Sequence, residues 1–363
     1  MNATATHEKK RRWWPASRAA MFARRPAPLK LVAGPLAALG LLLSVQGCGI
    51  NAAATTSPIG PTPAAATQVF NAYVTTARVA LADHNELLAL SQTTDAAYSI
   101  VSSAFTIAAP SGSVPPILVY GQPTVYVPKQ AAYPLWFMAS APEHPATGGP
   151  TRTVLMTFYR RDASSTWALS GSVQLNPGVA APKVAIDSAG YATSLSILDQ
   201  TLKARPNVVG PLHAAVADDG PSSAAAAAVA AGPQTTGLYA ANAAIGHRAT
   251  ARQQTYGWLL EGTPYPMFAL RTTDGGALVF YTMYLNTQTG LRKSPHKQST
   301  GPLANIPVPA EYRPLLPGSP QVVHRSLNAD QDLQYAAIDP ASTSTAKIQV
   351  IGAGGGPVYA HGN

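Results

Sequence analysis

A single cysteine in 363 residues sets the first limit on this chain. No disulfide can close within it, so whatever folds must hold itself together by its own core. Cys48 also stands just past a sharply bounded apolar run. Residues 31–45 read Leu-Val-Ala-Gly-Pro-Leu-Ala-Ala-Leu-Gly-Leu-Leu-Leu-Ser-Val, without a charge, and basic residues precede them. The run is short of the roughly 20 residues that span a bilayer, and Gly34, Pro35 and Gly40 interrupt it. A basic lead-in, an apolar stretch and a small-residue end are the parts of an export signal. They predict a signal peptide over 1–47, with a retained membrane anchor as the alternative.

The segment Val45-Gln46-Gly47-Cys48 resembles the lipobox of bacterial lipoproteins. Val45 and Gly47 fit that pattern, and Gln46 is larger than usual. The resemblance implies a diacylglyceryl group on the Cys48 thiol, with cleavage just before it. Two acyl chains give stable attachment where one gives only marginal binding. The expected location is therefore the outer face of the cell membrane. Met21 offers a second start, followed by Arg24, Arg25 and Lys30, and both general secretion and twin-arginine export stay open. Residues 48–62 are small, polar and punctuated by Pro58, Gly60 and Pro61, as a flexible tether would be.

The formal charge of +9 belongs mostly to the leader. Eight of the 25 Lys and Arg precede Cys48, against one acidic residue, which leaves 17 basic and 15 acidic positions after it. A nucleic-acid partner is not expected on that balance.

Beyond the tether, Thr62-Pro63 opens a helix in which Val69, Phe70, Tyr73, Val74 and Ala77 recur at helical spacing. A short turn at Leu87-Leu88 and a further helix from Thr94-Asp95, ended by Pro110 and Gly112, come next. Strands are expected at 124–127, 134–139, 151–160 and 167–175. The second half repeats that order. An alanine run at 224–231 and a helix over 236–252 precede strands at 255–260, 266–272, 276–285, part of 321–339, and 346–352. Asp274-Gly275 is the expected hairpin turn. A joining segment carries a short helix near 194–203.

The stretches Val69-Phe70-Asn71-Ala72-Tyr73 and Asn85-Glu86-Leu87-Leu88 belong to this pattern, as do residues 265–281 and the terminal Ile348-Gln349-Val350-Ile351-Gly352. There the chain resembles a group of uncharacterised actinobacterial lipoproteins with a two-part extracytoplasmic domain of unknown function. That resemblance implies location and architecture and brings no activity. Element order predicts an α+β fold of two similar lobes, each with helices packed on a curved antiparallel sheet, in a cystatin-like or NTF2-like arrangement. The boundaries are an N-terminal lobe at 63–178, a linker at 179–222 and a C-terminal lobe at 223–363.

Chemistry is sparse. His84, His144, His213, His247, His296, His324 and His361 show no i, i+4 pair of the kind that holds zinc on a helix. There is no G-x-S-x-G nucleophile turn. Gly352-Ala353-Gly354-Gly355-Gly356 lacks the Lys and following helix of a phosphate loop, and reads as a flexible turn before a last strand. Asp83-His84-Asn85-Glu86 is either an acid–base group in a cone mouth or a capped helix break. Trp136, Trp167, Trp258, Tyr98 and Tyr126 either line a cavity or fill a core. Arg292-Lys293-Ser294-Pro295-His296-Lys297 is a cationic loop, solvated or facing anionic lipid or wall polymer. No catalytic, metal or cofactor residue is expected. The expected role is a non-catalytic binding or interaction module of the envelope, with an envelope protein or wall polymer as partner. The alternatives are an envelope hydrolase with its active site in a cone-shaped lobe, and a small-molecule carrier.

Overall fold

The computed structural model describes residues 59–292 and 305–363. Val45, Gln46, Gly47, Cys48 and most of the tether lie outside the described residues. Thr62 caps the first helix, its hydroxyl accepting from the Ala65 amide at 3.2 Å, and Pro63 takes the first helical position, where a missing N–H costs nothing. This helix, α1 (Pro63–Ala82), ends at a break. Asn85 then caps α2 (Glu86–Leu90), accepting from Leu88 N at 3.0 Å. After α3 (Asp95–Ala108), the chain turns at Gly112, whose φ of +66° suits a residue without a Cβ.

Five strands follow: β1 (Leu118–Tyr120), β2 (Thr124–Tyr126), β3 (Leu135–Pro145), β4 (Arg152–Arg160) and β5 (Ala168–Leu175). Alternation sends Val154, Met156 and Phe158 to one face of β4, where they meet Phe137 and the apolar side of the helices at Ala66, Phe70 and Ala97. Phe137 and Phe158 stack with ring centroids 4.9 Å apart. Leu155 and Tyr159 point the other way, into or against a second core.

The second half supplies α4 (Pro206–Asp219), α5 (Thr236–Ala251), β6 (Gln254–Gly262), β7 (Phe268–Arg271), β8 (Ala277–Leu291), β9 (Ile306–Pro307), β10 (Val322–Val323), β11 (Ser326–Asp339) and β12 (Gln349–Gly362). β9 and β10 pair only with each other. The remaining strands of both halves make one ten-stranded sheet in the order β1-β3-β4-β5-β12-β11-β8-β6, with β2 on β3 and β7 on β8. Its named pairings are all antiparallel. The fold is mixed α and β, with several helices on a large antiparallel sheet. Each half brings its own helices, and the sheets meet where Gly352 pairs Leu175 and Ala353 pairs Gln174. Met138, Leu155 and Val173 of the first half share a buried cluster with Leu270, Leu278, Phe280 and Ile351 of the second.

Three local expectations are corrected. No helix forms at 194–203; the helix in residues 179–222 is α4, twelve residues beyond the expected start. Gly210 and Pro211 hide it from a propensity reading. Its burial explains it: Val209, His213 and Val216 are wholly inaccessible, and a Cβ on Gly210 would lie 3.1 Å from Met283 Sδ. The alanine run yields only a 3-10 turn at Ala224–Ala227. The glycine run is no turn at all, for it lies within β12. A Cβ on Gly354 would stand 2.0 Å from the Ser172 carbonyl oxygen, and one on Gly352 2.6 Å from that of Gln174. The glycines are there because two backbones approach where the halves join.

Candidate ligand-binding groove

α5 lies over the sheet face made by alternate residues of β6, β8 and β11. Register sets that floor: Trp258 faces Thr287 and Thr287 faces Ala329, while Tyr256 faces Thr289 and Thr289 faces Leu327. A helix with Leu238, Ala241, Ile245 and Ala249 along one side would ordinarily press that side into such a floor. Here only Asn242 and Ala249 of α5 are buried. Leu238, Ala241 and Ile245 instead line an open groove of about 780 Å³, with Leu285, Leu333 and Tyr335 across from them. At about 1.5 Å per residue the 16-residue α5 gives the groove a wall some 24 Å long. The segment 306–313 closes one end, with Ile306, Val308 and Tyr312 in the lining.

Polar contacts fix the helix on β6, at one side of the groove. The Tyr256 hydroxyl donates to Asn242 Oδ1 at 2.6 Å, and Asn242 Nδ2 donates to Leu238 O at 3.1 Å. Burial pushes the Tyr256 phenol up to about 12, so it stays a donor. At the start of α5, the Gln234 and Asn176 side-chain amides bond each other, at 2.7 and 3.2 Å. His213 Nε2 donates to Gln234 O at 2.7 Å, and Nδ1 accepts from the Tyr281 hydroxyl at 3.0 Å. Burial drives this imidazole down to about 4, so it is neutral, and its ring packs edge-on to Tyr335 with centroids 4.5 Å apart. It supports the lining residues Gln234 and Tyr335 from the α4 side of the same sheet face. On the floor, Gln331 Nε2 donates to the Tyr312 hydroxyl at 2.6 Å. Arg248, Arg252 and Arg313 line the groove with Glu311.

Other perturbed groups stand elsewhere. Asp332, pushed up to about 6 by burial and by the neighbouring Asp330, alternates with the groove residues Gln331 and Leu333 and so faces the opposite side of β11. There α3 crosses, with the Ser103 hydroxyl donating to Pro357 O. Asp95, in the left-handed region at φ +53°, accepts from Ser170 Oγ at 2.8 Å. Asp218, also raised to about 6 by burial, takes the Leu260 amide at 3.0 Å. Among the described residues no group of three or more His, Cys, Asp or Glu could hold a metal ion. Among them, too, no helix is long and apolar enough to cross a membrane.

The residues singled out from sequence do not converge on the groove. Asp83, His84 and Asn85 form the exposed turn between α1 and α2, and Glu86 accepts from Ser102 Oγ at 3.0 Å; this is the capped helix break. The aromatics are dispersed. Trp136 packs on Phe268 at 5.1 Å, Trp167 on Phe137 at 5.2 Å and Trp258 on Tyr256 at 5.9 Å, whereas Tyr98 is exposed and Tyr126 buried. Of the cationic loop only Arg292 lies within the described residues. The groove residues Asn242, Tyr256, Tyr312 and Tyr335 were missed. The signal that could have found them was Asn242, a buried-side amide at helical spacing from Leu238 and Ile245.

No solved structure matches the chain. It is 27% identical over 219 residues to an uncharacterised lipoprotein of Streptomyces avermitilis, covering 60% of this chain and 59% of the relative. It is 26% identical over 227 residues to an uncharacterised lipoprotein of Streptomyces coelicolor, covering 62% of each. The chain thus spans about three fifths of the length of these relatives. A family described only as a domain of unknown function, DUF8094, matches residues 61–362, which take in every described helix and strand, and the chain belongs to that family.

Proposed function

We propose that the protein is an exported lipoprotein, held on the outer face of the cell membrane by a diacylglyceryl group on Cys48, whose folded part is a non-catalytic binding module with the groove beneath α5 as its site. The signal-like leader and the lipobox-like Val45-Gln46-Gly47-Cys48 support the anchor, as do two relatives named lipoproteins. In this reading the two halves are cystatin-like or NTF2-like lobes joined edge to edge, and residues 48–62 are the tether.

One observation carries the binding assignment. The sheet-facing stripe of α5 is left open over a groove of about 780 Å³, within the roughly 300–1,000 Å³ that small-molecule sites occupy. Apolar walls with a few fixed polar groups are the makeup of such sites. The hydrolase alternative needs a reactive group facing the ligand. His213 is fully buried beside the lining residues Gln234 and Tyr335, with both ring nitrogens engaged, and Asp332 faces the other side of the sheet, so neither favours it.

Filling the groove tests the assignment. Ala241 is exposed on the inner side of α5, so Ala241→Trp places an indole in the opening. The variant is expected to bind Nile red at least about tenfold more weakly than the parent chain, a loss of roughly 1.4 kcal/mol. Equal affinity, with an unchanged melting temperature, would remove the groove as the site.

A further inference from the structure

Arg248, in the last turn of α5, and Arg252, the residue that caps its C-terminus, are four residues apart and share one face at that end of the helix. That face is the one lining the groove, and both residues are exposed there. Among the described residues neither has a carboxylate within 4 Å, since the two ion pairs present are Lys129–Asp187 and Arg271–Asp199. Arg313 lines the same groove, its Nε donating to Val308 O at 3.0 Å, and Glu311 is the lining's one carboxylate among the described residues. The lining therefore carries three guanidinium groups to one carboxylate. A basic side chain in a last helical turn suits the helix dipole, but that role does not require a side chain on the groove wall. Planar guanidinium forks match carboxylate and phosphate oxygens bidentately. Toward the other end, Leu238, Leu333 and Ala353 line the same groove, away from charge.

Resting on the binding role argued above, we infer that the groove takes an aliphatic anion: an acyl chain laid along the floor beneath α5, with its carboxylate or phosphate head against Arg248 and Arg252. An apolar body alone would leave the two arginines unused. A free anion would leave Leu238, Ile245 and Leu333 uncovered.

The test uses the full chain kept soluble by Cys48→Ser, with displacement of Nile red as the readout. Oleate, oleoyl lysophosphatidate, oleamide and inorganic phosphate are the probes. Oleate or the lysophosphatidate is expected to bind at least about tenfold more tightly than oleamide, the scale of one charge-assisted contact. Inorganic phosphate is expected not to displace. The double variant Arg248→Ala, Arg252→Ala should lose the preference of the charged chains over oleamide. Equal binding of the charged and neutral chains would overturn the head-group assignment and leave the groove standing. The same holds for a preference that survives the double variant, and for displacement by phosphate alone. Failure of every acyl probe to bind, with Nile red indifferent to Ala241→Trp, would overturn the groove itself.

Discussion

Asp339 carries a buried carboxyl with little hydrogen bonding. It is fully buried, Oδ1 has only a long contact of 3.4 Å from the Ala204 amide, and Oδ2 has no hydrogen-bond partner. Burial pushes its carboxyl up to about 6, with Ala204 and Lys203 pulling back. Between about pH 4 and pH 6 the native chain therefore keeps a proton that the unfolded chain has released, and stability falls as pH rises through that window. Asp218 and Asp332 act in the same direction, also reaching about 6. His213 acts oppositely: held neutral down to about 4, it costs stability as pH falls from about 6.5. Asp339→Asn removes one titration and leaves the others. Discounted for water reaching the site, it is expected to match the parent near pH 4 and exceed it by about 1 kcal/mol at pH 7. Chemical denaturation at both pH values checks this, and a gap independent of pH would contradict it. None of this was legible in the sequence, where Asp339-Pro340 reads as the end of a strand.

At the scale of elements, legibility followed local chemistry. Thr62-Pro63 and Asn85 announce the starts of α1 and α2 because caps are local signals, and α3 starts at Thr94-Asp95 as expected although the Thr94 side chain makes no cap bond. Alternation in β4 was equally plain. α4 was not, because Gly210 and Pro211 argue against a helix that tertiary burial nonetheless imposes. β12 reads in the sequence as two strands parted by a turn, because a strand interior rarely tolerates four glycines in five positions. The groove escaped as well: its floor mixes Thr287, Thr289 and Gln331 with Leu285 and Leu333, and no repeat marks a helix that packs on one strand and leaves the rest of its inner side open. Two glycines of β12 differ enough in surroundings for one to control for the other. Gly354→Ala drives a Cβ into the Ser172 carbonyl and is expected to cost about 3 kcal/mol, the upper range of overpacking. Gly356→Ala, where nothing lies within 4 Å, should stay near the parent. Equal denaturation midpoints for the two variants would contradict the close-approach explanation.

For the whole molecule, the sheet unites what the sequence presented as two repeats. Each half has its own helices and core, yet Met138, Leu155 and Val173 bury against Leu278, Phe280 and Ile351 across the seam. Unfolding is accordingly expected as one cooperative transition between residues 63 and 363, with circular dichroism and tryptophan fluorescence giving coincident midpoints. Two separated transitions would mean the lobes fold independently. A groove suited to an aliphatic anion also makes most sense on a chain that lives against a membrane, and that placement rests on Cys48. Intact mass spectrometry of the protein extracted from membranes tests it directly. The account predicts a chain beginning at Cys48 with a diacylglyceryl adduct on its sulfur. A chain that begins upstream of Cys48, or one whose Cys48 carries no lipid, would contradict it.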